Sequence, residues 1–232
     1  MESSSIFLSA GDPSGDVASA RLVAALRQLK PDVTFSGLGG HRLRELGQEQ
    51  FAEPDDLAVL GFWEVAKRFG YFRDLLSKCE KHIADSHPKA VVLVDYPGFN
   101  LRLAKRIKHL GIPIIYYISP QIWAWGKRRL KIIRQVVDLM LIILPFEKDF
   151  YEGTGVNAEF VGHYLLEDIP SEFISSEVPA TKPGTLALLP GSRTQEIERM
   201  LPVMLRTAEM FHRDYEFRTV VAAVKGRFDY DN

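Results

Sequence analysis

Short apolar runs alternate along the chain with turns of Gly, Pro, Ser or Asp and with segments of helical periodicity. This alternation is typical of a parallel β-sheet wrapped by helices. Helices are predicted over Val17–Leu29 and from about Leu101 to His109. The predicted strands are Ile6–Ala10, Asp32–Phe35, Ala90–Val94, Pro113–Ile118, Leu139–Leu144 and Ala158–Val161. We therefore predict an α/β fold, with a Rossmann-like domain over residues 1–166.

The alternation stops after this domain and then restarts. Residues 167–184 are rich in Pro, Ser and Glu and show no periodic apolar face, which predicts a linker. A strand over Thr185–Leu189, a helix from about Gln195 to His212 and a strand over Phe217–Ala223 are predicted to follow. A single strand-helix-strand unit leaves its sheet edges uncovered, so residues 185–232 are interpreted as the beginning of a second Rossmann-like domain, incomplete in this chain.

Composition indicates an ordinary globular protein. The 232 residues are 46% hydrophobic and 25% charged, with a formal net charge of -1. That balance disfavours disorder and nucleic-acid binding by bulk charge. Cys79 is the single cysteine, which suits a reducing compartment. No apolar run reaches the roughly 18 residues that span a bilayer, and the first residues lack the basic start of a signal peptide. We expect a cytoplasmic location.

The strand Ala90–Val94 ends on Asp95, followed by Tyr96-Pro97-Gly98-Phe99-Asn100. Ligands of open parallel sheets bind outside the carboxyl ends of the strands, so Asp95 is a candidate catalytic base. The alternative is an aspartate that caps the next helix.

Two loops are suited to binding anions. Residues 11–16 place glycines around Ser14 between a strand and a helix start, where backbone N–H groups favour a phosphate or sugar hydroxyls. The loop lacks the P-loop and Gly-x-Gly-x-x-Gly signatures. Residues 190–193 end on Arg193, whose guanidinium can bind a diphosphate at the next helix start. In both loops a plain surface turn is the alternative interpretation.

Six motifs occur in the order and approximate spacing of one enzyme family. They are Ser14-Gly15-Asp16, the stretch from Asp95 to Asn100, Tyr117-Ile118-Ser119-Pro120-Gln121-Ile122-Trp123-Ala124-Trp125, Leu144-Pro145-Phe146-Glu147, Phe160-Val161-Gly162-His163 and Leu188-Leu189-Pro190-Gly191-Ser192-Arg193. On these motifs the chain closely resembles the lipid-A-disaccharide synthases, over essentially its whole length. The Ser-Pro-x-x-Trp-Ala-Trp element is the most specific of them.

The resemblance implies a GT-B glycosyltransferase with an acceptor-binding first domain and a UDP-sugar-binding second domain. The implied reaction moves 2,3-diacylglucosamine from UDP-2,3-diacylglucosamine to 2,3-diacylglucosamine 1-phosphate, forming the β-1,6-linked lipid A precursor and UDP. An inverting transfer needs a base and a clamp for the leaving diphosphate. We predict Asp95 as the base and Arg193, with the backbone of Gly191 and Ser192, as the clamp.

The remaining site residues are predicted from the matching motifs. Predicted acceptor-binding residues are Ser14, Gly15, Asp16, Asn100, Ser119, Gln121 and Trp123. His163 and Glu196 are predicted to approach the cleft. Alternatives remain open: Asn100 as a helix cap, Trp123 as a core residue, and His163 as a structural hydrogen-bonding group.

The implied substrates are lipids, so the chain is expected to act in Gram-negative lipopolysaccharide biosynthesis as a peripheral protein on the inner face of the inner membrane. Residues 57–76 combine apolar and basic side chains that suit an interfacial helix, and packing on the chain's own domain is the alternative. A second basic group that can meet anionic headgroups is Lys127, Arg128, Arg129, Lys131 and Arg134, and a solvated helix face is the alternative. A homodimer is compatible with the family, and no nucleic-acid partner is expected.

No metal or other cofactor is expected. The histidines show no paired ligand spacing, and Asp229-Tyr230-Asp231 imitates a metal motif at the chain end without a framing sheet. Family members are substantially longer, so the 232 residues are expected to lack most of the donor site and not to catalyse the transfer alone. Two rival interpretations are another UDP-sugar GT-B transferase or epimerase, and a non-catalytic module that binds a lipid or sugar phosphate.

Overall fold

The structure, a computed structural model, describes residues 4–51, 69–123, 128–171, 184–191 and 194–222. The chain divides into two compact units, Met1–Ile169 and Pro170–Asn232. The division falls at 169, whereas the sequence placed the end of the first domain at 166. Tyr164 and Asp168, just before the division, are held to the rest of the first unit by Arg21. Its guanidinium donates to the Tyr164 carbonyl oxygen at 3.0 Å and pairs with the Asp168 carboxylate.

In the described part of the first unit, seven parallel strands form one sheet in the order β3-β2-β1-β4-β5-β6-β7. The strands are β1 Ser5–Ala10, β2 Thr34–Leu38, β3 Glu49–Gln50, β4 Ala90–Val94, β5 Ile114–Tyr117, β6 Leu139–Ile142 and β7 Ala158–Phe160. Strand order reverses between β1 and β4, and open α/β sheets bind ligands at the carboxyl ends of strands at such a point. The predicted Rossmann-like sheet is confirmed, and β3 is a short addition that the sequence did not predict.

Helices cover both faces of this sheet. They are α1 Pro13–Leu29, α2 His41–Glu45, α3 Phe69–Ser86, α4 Pro97–Ile107, α5 Arg128–Val136 and α6 Phe146–Tyr151, with 3-10 turns at Lys108–Leu110 and Tyr164–Asp168. Successive strand residues face opposite sides, so Leu93 packs with α3, α4 and α5 while Val92 packs with α1 and α2. Cys79 of α3 is fully buried in the larger of these two cores.

Two helices begin earlier than predicted, each at a proline. Helix α1 begins at Pro13 rather than Val17, because Asp12 caps it and accepts a hydrogen bond from the Gly15 N–H at 2.6 Å. Helix α4 begins at Pro97 rather than near Leu101. Proline is favoured in the first turn, where its missing N–H has no partner to lose. Ser14, Gly15 and Asp16 therefore lie in the first helical turn and not in a loop.

The predicted interfacial segment, residues 57–76, is described only from Phe69 onward. Its described end belongs to α3, where Leu75 and Leu76 are buried against the chain's own sheet and Tyr71 is exposed. This part of the segment therefore packs in the core, and residues 57–68 lie outside the described residues. No helix in the described part of the chain is both long and apolar enough to cross a bilayer.

The second unit contains one strand-helix-strand element. Strands β8 Thr185–Leu188 and β9 Arg218–Val221 pair in parallel, and α7 Thr194–Phe211 connects them. Ile197 and Ala208 are the buried side chains of α7. The bounds agree with the prediction to within one or two residues, and Asp229-Tyr230-Asp231 lies outside the described residues.

Candidate functional site

Asp95 stands at the carboxyl end of β4, beside the point where strand order reverses. Asp95 and Tyr96 both adopt left-handed backbone, with φ of 44° and 46°. Such residues cost roughly 1–3 kcal/mol each and persist where surrounding contacts hold them. The Asp95 N–H donates to the Tyr117 carbonyl oxygen at 3.0 Å, and the Tyr116 hydroxyl donates to the Asp95 carbonyl oxygen at 2.6 Å. The turn that presents the Asp95 carboxylate is thus fixed from β5.

Asn100, in α4, also holds the turn at Asp95. Its side chain is fully buried, and its Oδ1 accepts the Ser9 hydroxyl at 2.7 Å. Its Nδ2 donates to the carbonyl oxygens of Ser9, Val94 and Asp95 at 3.3, 3.1 and 2.8 Å. With these contacts and no exposure, Asn100 has a positioning role in the structure, in which it joins the ends of β1 and β4. Its contact with the acceptor stays a prediction.

The environment of Asp95 makes its carboxyl a weaker acid. Burial, then the nearby Asp12 carboxylate, raise its pKa from 3.8 to about 6, against a smaller opposing effect of the Tyr96 backbone N–H. A carboxylate with this pKa is still mostly ionised at neutral pH and accepts a proton more readily than an ordinary aspartate. Asp95 therefore has the placement and the proton affinity of a general base.

A cavity of about 390 Å³ opens beside Asp95 at the carboxyl edge of the sheet. Ser119, Gln121 and His163, all predicted as site residues, line it together with Asp95. Ile118, at its rim, has a φ of 67°, which is rare for a β-branched residue. The remaining lining residues are Pro97, Pro120, Arg129, Ile143, Leu144 and Glu147. The structure thus brings together residues that follow β4, β5, β6 and β7.

Ser119 is the centre of a buried polar group on the cavity wall. Its hydroxyl shares a hydrogen bond with the Tyr151 hydroxyl at 2.7 Å and donates to the Pro120 carbonyl oxygen at 3.1 Å. Glu147, 1% exposed, accepts from the Leu144 N–H at 3.1 Å, and burial raises its pKa despite that bond and one to Ser119. Ser119 and Glu147 therefore fix the turn between β6 and α6.

His163 follows β7 and caps the 3-10 turn after it. Its Nδ1 accepts the Leu165 N–H at 3.2 Å, and its ring stacks on Tyr164 with centroids 5.0 Å apart. The sequence left open whether His163 makes a structural hydrogen bond or lies at the cavity. In the structure it does both.

Comparison with known proteins now identifies the family. The family model described as "Lipid-A-disaccharide synthetase" matches residues 6–230. The chain belongs to the lipid-A-disaccharide synthase family. It is 46% identical to the lipid-A-disaccharide synthase of Anaeromyxobacter sp. (strain K), covering 96% of this chain and 60% of that protein. The synthase of Myxococcus xanthus is 44% identical, over 88% of this chain and 55% of its own length. The chain thus spans less than two thirds of these relatives.

Solved structures of low identity show the fold of this synthase-family chain. A calicheamicin glycosyltransferase matches with a TM-score of 0.59 at 15% identity, covering 99% of this chain and 68% of that one. The UDP-GlcNAc 2-epimerase of Neisseria meningitidis matches with a TM-score of 0.57 at 10% identity, covering 96% and 66%. These likenesses confirm the predicted α/β fold of the GT-B class.

The start of α1, which the family motif nominates for acceptor binding, is occupied mainly by internal contacts. The Asp16 carboxylate, 6% exposed, accepts the backbone N–H groups of Gly40, Arg42 and Leu43 at 2.7, 3.1 and 3.3 Å. Asp16 therefore holds the start of α2, and its contact with the acceptor stays a prediction.

The other two predicted residues at the start of α1 differ in exposure. Gly15 is buried, and a Cβ there would lie 2.9 Å from the Asp12 carboxylate, so it serves close packing. Ser14 is exposed and donates to that carboxylate at 3.0 Å. Among the three predicted residues, Ser14 is the exposed one.

Trp123 is not a core residue. Its side chain is 40% exposed and packs edge-to-face on Phe146, with ring centroids 5.1 Å apart. It stands two positions after Gln121 of the cavity, on the exposed side of α6. The alternative of a core position for Trp123 is thus wrong, and its ring forms part of an exposed aromatic surface near the cavity.

The predicted diphosphate clamp is described only in part. Gly191 has a φ of 117°, and a Cβ there would lie 2.6 Å from a carboxylate oxygen of Glu196, so glycine is required. Ser192 and Arg193 lie outside the described residues. Within the described ranges no group of three or more His, Cys, Asp or Glu side chains is arranged to hold a metal ion.

Sequence reasoning missed three residues at the site. Asp12 and Glu147 were read as parts of turns, and Arg129 as one of several surface cations. The dipeptide Asp12-Pro13 is a helix-start signal that could have identified the cap. Nothing in the local sequence places Arg129 at the cavity, because that depends on how α5 packs.

Proposed function

We propose that the first unit is the acceptor-binding domain of a glycosyltransferase that joins UDP-2,3-diacylglucosamine to 2,3-diacylglucosamine 1-phosphate, giving the β-1,6-linked disaccharide and UDP. The observation that carries the proposal is Asp95, held on a strained turn at the carboxyl edge of the sheet, in a cavity, with a pKa of about 6. Family membership supports the choice of substrates.

The proposed chemistry is an inverting displacement. Asp95 accepts the proton of the acceptor 6-hydroxyl as its oxygen bonds to the anomeric carbon of the donor sugar, and the bond from that carbon to UDP breaks. A positioned base of this kind contributes about 10²–10⁴ in rate. Arg193 and the backbone N–H groups of Gly191 and Ser192 are proposed to neutralise the leaving diphosphate, so no metal or other cofactor is proposed.

The location and the assembly are also proposals. We propose that the chain acts at the cytoplasmic face of the inner membrane of a Gram-negative cell as a peripheral protein. Arg129, Lys131 and Arg134 are exposed on α5, where they could meet anionic headgroups. A homodimer is proposed from the family resemblance alone.

The test is a binding and turnover measurement on the purified 232-residue chain. A short-chain 2,3-diacylglucosamine 1-phosphate is titrated by calorimetry, and UDP release is then followed with both substrates present. Acceptor binding without UDP release would assign the acceptor half only, whereas release that is lost in Asp95→Asn would assign the whole reaction. Asp85→Asn, an exposed carboxylate on α3, is the matched control. Absence of acceptor binding would refute the proposal.

The same titration separates the rival substrate classes. The epimerase likeness favours a non-acylated UDP-sugar enzyme as the second candidate. A non-acylated sugar phosphate that competes as well as the acylated one would support that candidate over the lipid substrate.

A further inference from the structure

The cavity beside Asp95 carries groups of both charges. Asp95 and Glu147 supply the acids, and Arg129 and His163 supply hydrogen-bond donors. Within the described residues neither acid forms an ion pair with Arg129. Of the residues that line this cavity, the proposed transfer step uses only Asp95, so Arg129 and His163 have no role yet in that step.

Arg129 is an available cation at this cavity. It is exposed in the first turn of α5 and lines the cavity wall. Its charge acts on the hydroxyl of Tyr116, the same hydroxyl that donates to the Asp95 carbonyl oxygen. Arg129 therefore lies near the base without neutralising it. A guanidinium in this position presents a planar fork of N–H groups suited to a phosphate.

His163 adds a neutral donor to the same wall. Its Nδ1 accepts the Leu165 N–H, and this hydrogen bond assigns the proton of the neutral ring to Nε2. Neutral His163 is therefore a donor at Nε2.

Glu147 does not compete for these donors. One of its carboxylate oxygens accepts the Leu144 N–H at 3.1 Å, and its side chain is 1% exposed. Its carboxylate is thus held within the wall and does not pair with Arg129.

We infer that Arg129 and His163 form an anion subsite that binds a phosphate monoester on the same molecule whose hydroxyl meets Asp95. This inference rests on the proposed function and deepens it, because it makes the phosphate of the acceptor a recognised group. One ligand then satisfies both ends of the cavity, with its hydroxyl at the carboxylate and its phosphate at the guanidinium. The subsite selects phosphorylated acceptors and fixes which hydroxyl reaches Asp95.

The experiment compares ligands and variants in the full 232-residue chain by calorimetry. The probes are a short-chain 2,3-diacylglucosamine 1-phosphate, its dephosphorylated counterpart and UDP. Arg129→Gln is expected to weaken the phosphorylated probe about 10- to 100-fold, the range for a charged hydrogen bond. It should leave the dephosphorylated probe unchanged. Arg129→Lys keeps the charge but not the fork and should fall between the two.

Arg134→Gln is the matched control, because Arg134 belongs to the same helix, is exposed, and does not line the cavity. Far-ultraviolet circular dichroism checks that each variant is folded. Equal affinity of the wild type and Arg129→Gln for the phosphorylated probe would overturn the subsite and leave the proposed function intact. A loss of UDP binding instead would also overturn it, by assigning Arg129 to the donor. No binding of the phosphorylated probe by the wild type would overturn both.

Discussion

Replacing Asp95 by Asn is expected to stabilise the protein at neutral pH. The fold raises the pKa of Asp95 from 3.8 to about 6, so ionising it in the folded state is unfavourable. At about 1.4 kcal/mol per pKa unit, the ionised carboxylate costs the folded state about 3 kcal/mol, which partial solvent contact reduces to about 2 kcal/mol. Asn has the same shape, tolerates left-handed backbone as Asp does, and carries no charge.

The direction of the pH dependence follows from proton binding in the folded and unfolded states. Below pH 3.8 the carboxyl is protonated in both states, and Asp95 has no effect on the free energy of unfolding. Between 3.8 and about 6 the unfolded chain releases the proton while the folded chain keeps it, so this contribution falls as pH rises. Above the folded pKa the cost is complete. The gain from Asp95→Asn should therefore be largest near pH 7.5 and shrink as pH falls through 6 toward 4.

The assay is urea unfolding of wild type and variant at several pH values, followed by tryptophan fluorescence. All three tryptophans, Trp63, Trp123 and Trp125, belong to the first unit, so the signal reports the unit that holds Asp95. Asp85→Asn controls for the loss of one exposed carboxylate. A variant that is destabilised at pH 7.5, or whose stability difference does not change with pH, would refute the reasoning.

Three further changes test the contacts around Asp95. Asn100→Ala should lower the free energy of unfolding by about 3 kcal/mol in urea titrations, because it removes the acceptor of the buried Ser9 hydroxyl and the amide donor to the Val94 and Asp95 carbonyl oxygens; a loss below 1 kcal/mol would contradict this. Gly11→Ala should cost about 1–3 kcal/mol in the same assay, since its Cβ would overlap the Tyr96 ring, and an unchanged midpoint would show that the ring moves freely. Asp12→Asn keeps the helix cap but removes a charge, so a carboxyl NMR titration should give Asp95 a pKa below about 6.

The sheet and the position of Asp95 at its edge were predictable because their signals are local. The run Ala90–Val94 is wholly apolar, as a strand buried on both faces must be, and the carboxylate follows it directly. Parallel strands end at one edge, and Ser119 and His163 each follow a further strand of the same sheet. Both line the cavity with Asp95, and their contact with a substrate stays a prediction.

The internal contacts of Asn100 and Asp16 could not be predicted, because they depend on long-range packing. Asn100 and Asp16 look like site residues in sequence, since polar side chains at strand ends and helix starts commonly bind ligands. Their atoms are instead engaged by backbone groups far along the chain, at Ser9 for Asn100 and at Gly40 for Asp16. Arg129 was missed for the opposite reason, since only the packing of α5 turns it toward the cavity. Local sequence indicates which polar groups lie near the carboxyl edge of the sheet. It does not indicate which of them are left without an internal hydrogen-bond partner.

The strained backbone around Asp95 explains why the polar side chains of Asn100 and Tyr116 are kept in the interior. Asp95, Tyr96 and Ile118, all left-handed and none of them glycine, stand at the edge where the cavity opens. At roughly 1–3 kcal/mol each, their strain is comparable to the cost of the Asp95 charge. The hydrogen bonds of Asn100 and Tyr116 to the Asp95 carbonyl oxygen offset it and fix the direction of the carboxylate. Stability is thus given up at the residue that is proposed to accept a proton, and its neighbours hold the position.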